Sequence, residues 1–210
     1  MRPLLVTDCD EVLLHMIGHF GEWLGEAHGI DFDVEAADFH APLVDRSGKA
    51  LAPDRVWELL DLFFEGEMRR QNVVPGAAEA LARIGEEADI VILTNIGDAF
   101  HAGRVEQLGA FGISHRVLCN RGGKGVPLAA LVAEMQPDVT VFVDDLAVHH
   151  HSVAKHAPDA WRLHMIAEPR LAARSPTSPH AHARIDHWDK ALPWILARFA
   201  EGQAAPPLDP

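Results

Sequence analysis

The chain has 210 residues, 48% of them apolar, which suffices for one domain with an insertion or for two small domains. Its 18 basic and 31 acidic residues give a formal net charge of −13, which argues against a nucleic-acid partner, since gripping a phosphate backbone relies on Lys and Arg. Charges and glycines interrupt every apolar run before the roughly 18 residues that a membrane span needs, and the N-terminus shows no signal-like apolar segment. No membrane association is expected, and the two cysteines, Cys9 and Cys119, fit a reduced, cytoplasmic setting.

In chain order, Pro3 to Asp8 reads as a first strand, apolar from Leu4 to Val6 as in a sheet buried on both faces. Leu13, Met16, Ile17, Phe20, Trp23, Leu24 and Ala27 recur at helical spacing and predict a helix over 12–28, ended by Gly29. Residues 30–53 read as polar and irregular. Val56, Leu59, Leu60, Phe63 and Phe64 then mark a second helix running to about Arg70. Pro75 opens a third helix that leads into a strand over 90–93. Beyond it the pattern alternates: helix 98–109, strand 116–119, helix 125–135, strand 139–143, helix 146–157, strand 161–165. That alternation predicts a parallel, doubly wound sheet. Residues 175–183 read as a loop and 183–186 as a short last strand. Leu192, Ile195, Leu196 and Phe199 mark a terminal helix, and the tail after Gly202 is expected to be disordered by composition.

Polar residues cluster where the apolar strands stop. Asp8 and Asp10 end the first strand, Thr94 and Asn95 the second, and Asp144 and Asp145 the one over 139–143, while Lys124 opens a helix after two glycines. A parallel sheet brings all of them to one edge, where open α/β sheets bind ligands. Each has a plainer reading alone: a turn for the aspartates, a helix cap for Thr94 and Asn95, a solvated surface charge for Lys124.

The ordered set, DxD, strand plus Thr, Lys, strand plus DD, resembles the haloacid dehalogenase-like hydrolase superfamily over residues 4 to about 165. The resemblance implies an α/β fold: a Rossmann-like, doubly wound parallel core over residues 1–14 and 75–201, with a small α-helical cap over 15–74 and a disordered tail over 202–210. It implies a Mg²⁺-dependent phosphatase that hydrolyses a small phosphorylated metabolite, a phosphate monoester, through an aspartyl-phosphate. Asp8 would be the nucleophile and Asp10 the general acid and then base. Thr94, with Asn95 beside it, and Lys124 would hold the phosphoryl oxygens. Mg²⁺ would be held by Asp8, Asp144 and Asp145 and by the backbone carbonyl of Asp10. One departure is Glu11-Val12, where many members have Gly-Thr after the second aspartate.

The residues support a cation independently. Two carboxylates about 4 Å apart repel by roughly 4 kcal/mol at an effective dielectric near 20, and Lys124 supplies one positive charge against as many as four carboxylates. Oxygen-loving Mg²⁺ would supply the rest. A phosphomutase or other phosphotransferase, or a non-catalytic binding protein of the same fold, are the alternatives. Dehalogenation is disfavoured because it has no use for Asp10, and a signalling receiver domain because its acidic pair comes first in the chain.

The remaining candidates carry less. The run His149, His150, His151 places its rings in different directions and is not expected to share one metal ion. Phe20, Trp23, Trp57, Phe63 and Phe64 are expected to pack the helical insertion rather than stack on a substrate. Arg46, Lys49, Arg69 and Arg70 are left open between contact with an anionic substrate and solvated surface charge. A Cys9–Cys119 disulfide is not expected, because in the strand order that the resemblance implies another strand lies between theirs.

Overall fold

The computed structural model describes residues 1–32, 34, 44–45 and 47–208. Its centre is a six-stranded parallel sheet in which β1 (Leu4–Thr7) lies between β4 (Asp89–Thr94) and β6 (Thr140–Asp144). Outside β4 lies β5 (Arg116–Cys119), and outside β6 lie β7 (Trp161–His164) and β8 (Ala183–Arg184), giving the order β5-β4-β1-β6-β7-β8. The chain winds from β1 towards one edge and then back past β1 to the other. The carboxyl ends of β1, β4 and β6 are therefore neighbours where the winding reverses, the place such sheets reserve for ligands.

The central strands carry Leu, Ile, Val and Phe on both faces because helices cover both faces. On one side α3 (Ala77–Gly85) and α8 (Trp188–Glu201) pack around Leu81, Ile84, Ile92, Val141 and Ile195. On the other, α5 (Gly125–Met135) and α6 (Ala147–His156) enclose Leu4, Val6, Leu128, Phe142 and Val153. α4 (His101–Ala110), beside β5, adds Leu108 to the first cluster. Both cysteines are free thiols.

The segment between β1 and α3 forms an apolar cluster of its own. α1 (Ile17–Trp23), the π-helical turn Leu24–His28 and α2 (Pro53–Gly66) bring together Ile17, Phe20, Trp23, Leu59 and Phe63. The rings of Phe20 and Phe63 meet edge to face at 5.4 Å. The expectation of an irregular 30–53 is modified by a small antiparallel pair, β2 (Ile30–Asp31) with β3 (Val44–Asp45). Residues 33, 35–43 and 46 of that stretch, Arg46 included, lie outside the described residues.

Other differences have local causes. The helix expected from residue 12 starts at Ile17, because Val12, Leu13 and Leu14 are buried in the sheet's own core. There Leu14 bridges Val73, and the Leu13 carbonyl accepts from Val74 N–H at 2.8 Å, joining the two ends of the insertion. A short helix, α7 (Pro169–Ala172), was not expected; Glu168 caps it by accepting from Arg170 N–H at 3.1 Å. The tail does not hang free as far as Pro206: the Gln203 carbonyl accepts from the Trp161 indole at 2.9 Å, Ala205 N–H donates to the Asp159 carbonyl at 3.0 Å, and Ala205 is buried. Backbone groups with nearby partners override a polar composition.

Candidate active site

Three carboxylates meet at the switch point. Asp8 follows β1, Asp144 ends β6 and Asp145 follows it, and these buried side chains offer ligand oxygens that all lie within 4.8 Å of one another. Lys124, wholly buried at the start of α5, sits between two of them, its Nζ 2.6 Å from Asp8 Oδ1 and 2.7 Å from Asp144 Oδ2. Gly125 is what lets the lysine reach. A Cβ on it would lie 2.1 Å from the Ser152 carbonyl oxygen, so any larger residue would push α5 off α6; in the native packing Gly125 N–H donates to Ser152 Oγ at 3.0 Å.

The electrostatics follow from this crowding. Burial raises the Asp8 carboxyl above its ordinary value, with Asp144 adding to the rise and Lys124 opposing it. Asp145 is raised further, by burial first and then by Asp144 and Asp8. Burial works against the charge on Lys124, but the two carboxylates outweigh it and hold the ammonium protonated. Asp144 is satisfied, since its Oδ1 also accepts from Leu146 N–H at 2.9 Å. One lysine against three buried carboxylates leaves a cation deficit. An all-oxygen set of this kind fits a hard divalent ion such as Mg²⁺.

Asp10 lies beside this group but is held separately. Arg104, from α4 and fully buried, donates to both Asp10 oxygens at 3.0 Å, and Gln71 Nε2 donates to Oδ1 at 2.7 Å. Arg104 also reaches Cys9 Sγ at 3.3 Å. Neither Arg104 nor Gln71 was singled out in the sequence. The available signal was the inward face of α4, where Arg104 and Gln107 take positions that apolar residues normally fill beside Leu108.

Thr94 is fully buried, and its hydroxyl has no partner among the described residues. It caps no helix, since the next helical turn begins at Asp98 after Gly97. Asn95 is exposed; its Nδ2 donates to the Gly122 carbonyl at 2.9 Å and its Oδ1 accepts from Asn120 Nδ2 at 2.8 Å, tying the loop after β4 to the loop before α5. Thus Asp8, Lys124, Asp144 and Asp145 come together, Asp10 and Asn95 line the same cavity as Asp8 and Asp145, and Thr94 ends β4, the strand beside β1.

Glu11 takes a left-handed φ of 59° and turns its carboxylate inward, where Oε1 accepts from Met16 and Ile17 N–H, both at 2.7 Å. It thereby ties the aspartate turn to the start of α1. Burial, partly offset by those two N–H bonds, pushes its carboxyl up to about 7. The three consecutive histidines do part company: His149 lines the cavity, His150 is buried with Nε2 3.0 Å from the Asp144 carbonyl, and His151 meets His180 at 2.9 Å. Arg69 pairs with Glu106, and Arg70 with Glu26 and Glu67; neither lines the cavity, nor does Lys49.

The cavity itself holds about 440 Å³, between the carboxyl ends of the strands and the helical insertion. Among the described residues no helix is long and apolar enough to cross a membrane.

No family model matches the chain, and no curated protein does. Solved structures do. A haloacid dehalogenase-like family hydrolase from Streptococcus pneumoniae superposes with a TM-score of 0.64 at 11% identity, over 91% of this chain and 97% of that one. A protein assigned as a beta-phosphoglucomutase from Thermotoga maritima gives 0.61 at 14%, over 94% and 99%. One assigned as a HAD hydrolase, YfnB from Bacillus subtilis, solved bound to magnesium, gives 0.61 at 13%, over 92% and 98%. Strand order, switch-point site and these likenesses together give the chain the fold of the haloacid dehalogenase-like hydrolases.

Proposed function

We propose that the protein is a Mg²⁺-dependent phosphatase that hydrolyses a small phosphate monoester. The observation that carries this reading is the buried trio Asp8, Asp144 and Asp145 with a single lysine among them, facing a cavity at the sheet's switch point.

Asp8, Asp144 and Asp145 would hold the ion, which when bound supplies the positive charge that offsets repulsion between an anionic nucleophile and an anionic phosphate. Asp8 is the group to attack phosphorus: its Oδ1 is fixed by Lys124, so the carboxylate is oriented before substrate arrives. The phosphorus–oxygen bond to the alcohol breaks as the Asp8–phosphorus bond forms, splitting one difficult hydrolysis into two steps. Asp10, fixed by Arg104 and Gln71 at the cavity wall, is the group to handle protons of the leaving oxygen and of the water that releases phosphate. The unpartnered Thr94 hydroxyl is a donor for a phosphoryl oxygen. The helical insertion over 15–74 serves in this reading as a cap that excludes water and shapes the substrate site.

Hydrolysis of p-nitrophenyl phosphate with Mg²⁺, its loss in EDTA, and its loss in folded Asp8→Asn are the expected results. Full turnover by Asp8→Asn would remove the nucleophile from the proposal.

A further inference from the structure

The cavity wall is divided by chemistry. From the sheet side the loops after β4 and β5 contribute the polar Asn95, Asn120 and Arg121, with Ile96 beside them. From the insertion come Met16, Trp57, Leu60 and Phe64, with Asp61 the only charged side chain of that group among the described residues.

Trp57 departs from the other aromatics of the insertion. Phe20, Trp23, Phe63 and Phe64 pack against one another and are buried, but Trp57 is 66% exposed and has no ring partner among the described residues. Its indole N–H donates to no acceptor among them either. An exposed tryptophan is a costly way to decorate a helix, because so large an apolar face gains most from being covered. Here that face borders the cavity that Asp8 and Asp145 of the acidic cluster also line.

We infer that the substrate is a phosphate ester with a flat, apolar body, an aromatic ring, that lies against Trp57, Leu60 and Phe64 while its phosphate meets Asp8. This rests on the phosphatase reading and adds the substrate class to it. A phosphosugar fits the same wall poorly. Hydroxyls turned to this wall would face Met16, Leu60 and Phe64 and lose water without gaining partners, and on this wall Asp61 alone, among the described residues, could accept from them. A ring loses nothing there and removes apolar area from water on both sides.

The test separates body recognition from chemistry. Calorimetry with Mg²⁺ present compares 2-phenylethylphosphonate with ethylphosphonate, and hydrolysis assays compare the two corresponding phosphates, whose leaving alcohols are chemically alike. Glycerol 3-phosphate serves as the polar counterpart. The phenylethyl compounds are expected to bind about ten-fold more tightly, an amount that one buried ring supplies. Trp57→Ala is expected to bring that ratio close to one, and Trp57→Phe to restore part of it, a pattern that a purely structural tryptophan would not give. Equal affinities, a preference for glycerol 3-phosphate, or a ratio that survives in Trp57→Ala would overturn the inference. Tight, Trp57-dependent phenylethyl binding without any hydrolysis would support it and sink the phosphatase reading instead.

Discussion

Arg104 grips both oxygens of Asp10 at 3.0 Å across 94 positions of sequence, with no exposure of its own. A two-pronged guanidinium contact fixes the plane of the carboxylate as well as its position, which a lysine cannot do. Gln71 completes the arrangement from the opposite end of the insertion, and Gln107 Nε2 stands 3.5 Å from the Gln71 oxygen.

Removing Arg104 leaves a mostly buried carboxylate without its countercharge. Arg104→Met is expected to lower unfolding free energy by about 3 kcal/mol, the usual cost of breaking a buried pair from one side. Urea unfolding measures it. Arg104→Lys should recover part of the stability and less of the activity, since the fork is lost. Equal stability of Arg104→Met and the parent chain would show that the pair contributes nothing.

Asp145 gives a prediction with two signs. Burial and the neighbouring Asp144 and Asp8 raise its carboxyl well above the ordinary value, so at neutral pH its charge costs the metal-free fold energy. Asp145→Asn is expected to melt higher than the parent chain in EDTA. Added Mg²⁺ should raise the parent's melting temperature, by the equivalent of about 2.7 kcal/mol at 100 times the dissociation constant. The variant should show little of that rise. A variant that responds to Mg²⁺ as the parent does would place the ion elsewhere.

Glu11 sets a pH dependence in the metal-free protein. Its carboxyl titrates near 4.5 when unfolded and at about 7 in the fold. Between those values the folded chain keeps a proton that the unfolded chain has released, so stability falls as pH rises through that window, by an amount on the order of 3 kcal/mol. Asp8 and Asp145 act with the same sign. Glu11→Gln keeps the acceptor for Met16 and Ile17 N–H, and should show a shallower decline from pH 4.5 to 7. Parallel stability profiles for the two proteins would contradict this.

His150 works in the opposite direction. Burial lowers it from 6.5 to about 3, and its ring lies between Phe142 and His164. Between pH 6.5 and 3 the unfolded chain takes up a proton that the folded chain refuses, so stability drops on acidification. Replacement by glutamine, which retains a donor for the Asp144 carbonyl, should soften that drop in acid unfolding followed by circular dichroism. An unchanged acid midpoint would mean that other groups govern the transition.

Much of the architecture could be read along the chain because it depends on local pattern. Apolar runs such as "VIL" over 91–93 and "VFV" over 141–143 mark strands covered on both faces, and the helices between them dictate a parallel sheet. From this the carboxyl-end convergence of Asp8, Thr94 and Asp144 follows by topology alone. Helix starts were harder: Leu13 fits the helical spacing of the residues after it, yet with Val12 and Leu14 it lines the sheet's core, since periodicity does not say which core a residue enters.

What lay beyond the sequence are contacts between residues far apart in it. Nothing local marks Arg104 or Gln71 as partners of Asp10, or Glu11 as the tie between the aspartate turn and α1. Spacing sets Trp57 off the apolar stripe that holds Phe63, six residues on along the same helix, but does not say that the one borders a cavity while the other enters a packed cluster. The chain's own order of apolar and acidic residues determined where charge would gather, because that follows from strand ends in a parallel sheet. Which side chains neutralise that charge, and which surface the cavity shows to a substrate, were decided by packing, because only the folded chain brings those groups within bonding distance.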